Sequence, residues 1–298
     1  MRSKTLSCEK TIFLKEITRF WPLWGAYIAV LALEILGSVG LLSSFSGNDP
    51  LYGVLQYLSN APGMGVVAAF IASILTAMAV YSYMYSPKSV SFAESLPVTR
   101  TSNFLSHFFA GLFWLFAVNI IVYGVFAIIA AVSGMGCAGS VLGVMAMNLL
   151  FILFFYGFAS FCAVLTGSII VLPLVFVVLN FTAAAAEALV KSVLQLIVYG
   201  MTTFGNWELG FLSPPLELMR NCGTHFENAA GDIVYIWNYG RYELPADLKL
   251  VFDGFGTAAI YAAAGIVFVI LALLIYKKRH MENAGDVVAV RAAKPIFR

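Results

Sequence analysis

Six stretches of mostly apolar residues constrain this chain more than anything else in it. They run from Pro22 to about Ser43, Pro62 to Tyr85, Phe104 to Val132, Val141 to about Thr166, about Ser168 to Glu187, and Gly256 to Tyr276. Roughly 20 apolar residues in a helix cross the ~30 Å hydrocarbon layer of a bilayer. Inside lipid the backbone must satisfy its own polar groups, which a helix does. Composition agrees, with 61% hydrophobic and 11% charged residues, against about 25% charged in a soluble domain. A soluble fold of 298 residues has too few charges to cover so much apolar surface. The expectation is an all-α, polytopic transmembrane bundle of about six spans, forming one domain over residues 1–298.

The stretch from Val141 to Phe204 is nearly continuous and holds two or three spans. Gly167 and Ser168 mark the best turn within it. The remainder, Ala188 to Phe204, reads as a re-entrant or interfacial helix.

Charge placement supports six spans. The leader, Met1 to Phe20, carries Arg2, Lys4, Lys10, Lys15 and Arg19, the loop after the second span Lys88 and Arg100, and the tail Lys277, Lys278, Arg279, Arg291, Lys294 and Arg298. These are thirteen of the seventeen basic residues. Cytoplasmic segments are enriched in Lys and Arg, and an even number of spans places all three on that side, with both termini. A cleaved signal peptide is not expected, because the basic leader is long and no A-x-A site follows the apolar stretch. Residues 206–255 carry three bases against seven acids, with Trp207, Tyr235, Trp237, Tyr239 and Tyr242. They are expected outside as a small cap whose aromatics suit an interfacial belt.

Several functions find no support. The net charge of +2 comes without a basic stripe, so no nucleic-acid partner is expected. There is no P-loop, no H-E-x-x-H and no G-x-S-x-G, so no cofactor site is expected in this chain. His107, His225 and His280 fall in different regions, and Cys8, Cys137, Cys162 and Cys222 have no paired spacing, so neither a metal site nor a disulfide framework is expected. The run Gly134-Met135-Gly136-Cys137-Ala138-Gly139 fits G-x-G-x-x-G by letter, but joins two apolar helices and reads as a tight turn. Gly139 and Gly143 have small-residue packing spacing, as do Gly254, Ala258 and Ala262. Asn180-Phe181-Thr182 matches a glycosylation acceptor but lies within a span.

Three features carry functional weight. Glu34 lies mid-way along the first span, where a charge costs about 2.5–3.5 kcal/mol on insertion scales. Such residues face a cavity or partner, which makes Glu34 a candidate for a translocation path or dimer seam; the alternative is a protonated or hydrogen-bonded packing residue. In the leader, Phe13, Ile17, Phe20 and Trp21 follow helical spacing, with Lys10, Lys15, Glu16 and Arg19 between them. That is an amphipathic helix on the membrane surface, and Pro22 then turns the chain inward. The loop Ser86–Asn103 holds a short helix with an apolar edge, Phe92 and Leu96, ending at Leu96-Pro97; Thr99 or Thr101 suits the cap of the third span.

These elements in this order, with Ser95-Leu96-Pro97-Val98-Thr99-Arg100 in the first intracellular loop and Arg279, Glu282, Ala284 and Gly285 after the last span, resemble the membrane subunits of bacterial ABC-2-type transporters. The resemblance covers nearly the whole chain. It implies a permease, with export as the expected direction, that pairs with a second permease subunit and binds a separate cytoplasmic ATPase. ATP and Mg would sit on that partner. Phe92, Glu94, Leu96, Pro97 and Arg100 would form the coupling helix, and the leader helix, through Phe13, Ile17, Arg19 and Phe20, a second contact. The chain stops at Lys294–Arg298 where some relatives continue into further spans, so 1–298 is either the whole domain or part of a longer chain. The competing readings are a polytopic membrane enzyme and a membrane assembly or regulatory protein.

Overall fold

The computed structural model describes residues 10–45, 50–95, 98–198, 208–228, 231–234 and 249–278. Within them lie nine α-helices: α1 (Lys10–Arg19), α2 (Trp21–Phe45), α3 (Pro50–Val80), α4 (Pro87–Ser95), α5 (Arg100–Val132), α6 (Ala138–Leu165), α7 (Val171–Ile197), α8 (Pro214–Asn221) and α9 (Phe255–Lys278). Six of them, α2, α3, α5, α6, α7 and α9, are long and apolar enough to cross a membrane. The chain is an integral membrane protein built as an all-α polytopic bundle. Large side chains such as Leu33, Leu36, Leu189 and Leu196 are 65–87% exposed, which only a lipid or protein environment tolerates at this density.

Helix α6 lies at the centre. Phe151, Phe155, Tyr156, Ala159 and Cys162 are buried there against α3, α5 and α9. Its closest approach is to α9, where a Cβ on Gly157 would lie 2.5 Å from the Gly265 carbonyl oxygen and one on Gly265 would lie 2.6 Å from Phe154 Cα. Bare backbone at both positions lets the two helices touch. The expected α9 seam is present at Ala258 and Ala262, which are buried. The expected Gly139–Gly143 pair is not a helix seam. Gly139 faces open space, and Gly143 makes room for the ring of Phe252.

The expected turn at Gly134–Gly139 joins α5 to α6, with Gly134 and Gly136 at φ of +69° and +68°. Only glycine reaches that region without steric cost. Two element boundaries differ from expectation. The second span begins at Pro50, with Pro62 inside it. Ala188 onward is not a separate re-entrant helix, because α7 continues unbroken to Ile197. No Gly or Pro occurs between Leu174 and Val198 to interrupt it.

Pro62 removes the N–H that would bond the Leu58 carbonyl one turn earlier. That carbonyl instead accepts from the Thr224 hydroxyl at 2.7 Å. Thr224 belongs to β1 (Gly223–Glu227), the centre of a three-stranded antiparallel sheet with β2 (Ile233–Val234) and β3 (Lys249–Asp253), in the order β2-β1-β3. With α8 this sheet forms a small cap on one end of the bundle. It touches the early turns of α3 through Thr224, α6 at Gly143 through Phe252, and the start of α9, where the Cys222 thiol donates to the Gly254 carbonyl at 3.4 Å. Cys137, Cys162 and Cys222 are buried free thiols. Burial pushes the Cys222 thiol up to about 11 and that of Cys137 in the same direction.

Candidate functional site

The opposite end of the bundle gathers the leader, the loop helix and three span ends. A 3-10 turn, Tyr81–Tyr85, carries the chain from α3 toward α4. In it, Tyr83 meets Tyr276 of α9 hydroxyl to hydroxyl at 3.1 Å. Asn103, at the start of α5, donates to both, at 3.4 Å and 3.2 Å. Below this knot the Tyr83 ring stacks on His107 at 4.3 Å. His107 Nδ1 lies 3.6 Å from Glu16 Oε1 of α1, and both residues are buried. Burial pushes the Glu16 carboxyl up from 4.5 to about 7, against the pull of the Arg19 and Lys15 cations.

The leader is helical as expected, but it is a docked helix rather than one resting on lipid alone. Phe13 packs edge-on against Phe113 of α5 at 5.8 Å. Ile17 is half-buried, and Phe20 is half-buried beside Trp24, Leu31 and Val118. Arg19 stays exposed, with its guanidinium 4.9 Å over the Phe20 ring. Glu16, read from sequence as part of the polar face, is turned inward because α1 crosses α5 at His107.

The loop helix is present as α4. Phe92 and Glu94 lie on it, with side chains outside the described set, and Leu96 and Pro97 lie outside the described residues. Arg100 opens α5 and is exposed. Thr99 is the N-cap, its hydroxyl accepting from the Ser102 N–H at 3.2 Å. The bases Arg2 and Lys4, the tail from Arg279 onward, and the aromatics Trp207, Tyr235, Trp237, Tyr239 and Tyr242 also lie outside the described residues.

A second constellation lies within the bundle. Tyr57 and Tyr123 meet hydroxyl to hydroxyl at 3.3 Å, and Asn148 donates to Tyr123 at 2.8 Å. Asn119 donates to the Tyr27 hydroxyl at 3.0 Å. Glu34 is within electrostatic reach of Tyr27, Tyr57 and Tyr123. Its Oε1 is buried without a hydrogen-bond partner among the described residues, as is Asn148 Oδ1. The one acid read from the first span thus lies in the same region as hydrogen-bonded tyrosines and asparagines of α2, α3, α5 and α6, with no hydrogen bond from its Oε1 to them. Sequence reading missed the asparagines and tyrosines, whose signal was polar residues inside otherwise apolar spans. It also missed Asn103 and His107, four apart in the first turns of α5.

The cap holds a third group. His225 Nδ1 lies 2.6 Å from Asp253 and Nε2 lies 3.1 Å from Glu227. Hydrogen bonds to Glu227 and then Asp253 raise its imidazole above the usual 6.5. With both ring nitrogens facing carboxylates, the imidazolium donates to each. No cluster of three or more metal-ligating side chains suited to a metal occurs among the described residues.

No protein-family model matches the chain, and no curated protein matches it.

Proposed function

We propose that this chain is the membrane-spanning permease subunit of an ATP-driven ABC exporter. It pairs with a second permease subunit in the cell membrane and takes its energy from a separate cytoplasmic ATPase. The observation that carries the reading is α4, a short helix between the second and third spans at the end of the bundle where α1 docks. Through the Tyr81–Tyr85 turn, α4 joins directly to the Tyr83–Asn103–Tyr276 knot. A push on α4 therefore reaches α3, α5 and α9 through hydrogen-bonded contacts. The absence of a P-loop from the sequence accords with nucleotide chemistry on a partner. The Glu34 cluster supplies a polar group for a path along α2, α3, α5 and α6. In this reading both termini are cytoplasmic and the cap is external.

The test is co-purification with co-expressed ABC ATPase subunits from the same cell, in mild detergent, for wild type and for Leu96→Asp and Arg100→Glu. The expected result is a complex in wild type that the substitutions disrupt. A complex that survives both moves the contact off the α4 loop. Failure to associate with any ATPase overturns the reading.

A further inference from the structure

A cavity of about 470 Å³ opens between α1, the 3-10 turn, α4 and α5. Three cations line it, Lys15 and Arg19 from α1 and Lys88 from α4, together with Glu16, Asn103 and His107. Glu16 Oε2 and His107 Nδ1 are buried there without hydrogen-bond partners among the described residues, and each residue is 6% exposed. Buried polar atoms left unpaired are costly and point to a missing partner.

The cavity also sits at a telling level. Helix α1 passes through Phe20 into α2, whose apolar span begins at Trp21, and Asn103 and His107 occupy the first turns of α5. Span ends are where lipid headgroups lie, and basic pockets between helices there bind anionic ones. A guanidinium matches two phosphate oxygens at once, and ammonium groups add point charges.

We propose that this cavity binds a hydroxylated phosphate ester, either the glycerophosphate headgroup of an anionic lipid or the same ester free in solution. The phosphate lies among Lys15, Arg19 and Lys88, and the alcohol reaches Glu16. Three cations against one carboxylate favour an anion. A hydroxyl both donates and accepts, so it pairs with Glu16 Oε2 in either protonation state. A choline headgroup offers neither the hydroxyl nor a cation that this wall tolerates.

The experiment is thermal unfolding of the full chain, purified in detergent and stripped of lipid, with phosphatidylglycerol, phosphatidylcholine or soluble glycerol 3-phosphate added. Ligand linkage should raise Tm by roughly 2–5 °C with phosphatidylglycerol and leave it unmoved with phosphatidylcholine. K15Q/R19Q/K88Q should lose the rise, and the charge-preserving K15R/R19K/K88R should keep most of it. Ser89→Trp, which fills the cavity without touching its charges, should also lose it. The same rise with glycerol 3-phosphate assigns the site to the free ester; none assigns it to lipid. Equal shifts for both lipids, no shift with any addition, or a rise that survives both K15Q/R19Q/K88Q and Ser89→Trp overturns the proposal.

Discussion

His225 holds a carboxylate at each ring nitrogen, Glu227 from its own strand and Asp253 from β3. Because the folded imidazole titrates above the ordinary 6.5, its contribution to the cap is fully present below that value. It is lost as pH rises through the higher, folded value. The β1–β3 amides should therefore exchange faster, after correction for intrinsic rate, when pH is raised from about 6 to about 9. His225→Gln should remove most of that pH response. An identical response in the variant would mean that the triad is not what titrates. Such a group is invisible in sequence, since Asp253 comes beside His225 only through the register of β3 on β1. Glu16 is a similar case. Its spacing placed it on a polar face, and only the crossing of α1 over α5 buries it.

At the scale of elements, the α6–α9 contact depends on Gly157 and Gly265. A methyl group at position 265 would meet backbone atoms of Leu153 and Phe154, which cannot rotate away. Gly265→Ala should destabilise the bundle by about 1–3 kcal/mol, read as a lower midpoint in detergent unfolding. Gly139→Ala, facing open space, should stay within about 0.5 kcal/mol of wild type. Equal effects would remove the seam from the account of stability. Sequence spacing located the apolar spans and the α9 small-residue face, because length and hydropathy are local. It did not say which small residues meet another helix, and so misassigned Gly139 and Gly143. It also opened the second span at Pro62, since proline commonly begins helices. Proline is tolerated inside α3 because Thr224, 166 positions beyond Leu58, gives the Leu58 carbonyl its missing partner.

For the whole molecule, the leader, α4 and the end of α9 share one end of the bundle, and the three-stranded cap occupies the other. Single cysteines at Ser89 and at Asp232 in a Cys8→Ser background should therefore react with an impermeant thiol reagent from opposite faces of sealed vesicles. The buried thiols Cys137, Cys162 and Cys222 should stay silent under native conditions. Labelling of both engineered sites from the same face would break the six-span threading. Span number was legible because hydropathy over about 20 residues is a local property that the bilayer selects. The Glu34 cluster was legible only at Glu34, because tyrosine and asparagine inside a span attract notice only once four helices have brought them together.

The bond from Thr224 to Leu58 gives the second span an unusual dependence. Ordinarily a helix sets its own stiffness, one backbone bond per residue. Here one rung of the ladder is supplied by a strand of the cap. The rigidity of α3 at that turn is thus lent from outside the helix, and whatever pulls the strand away withdraws it.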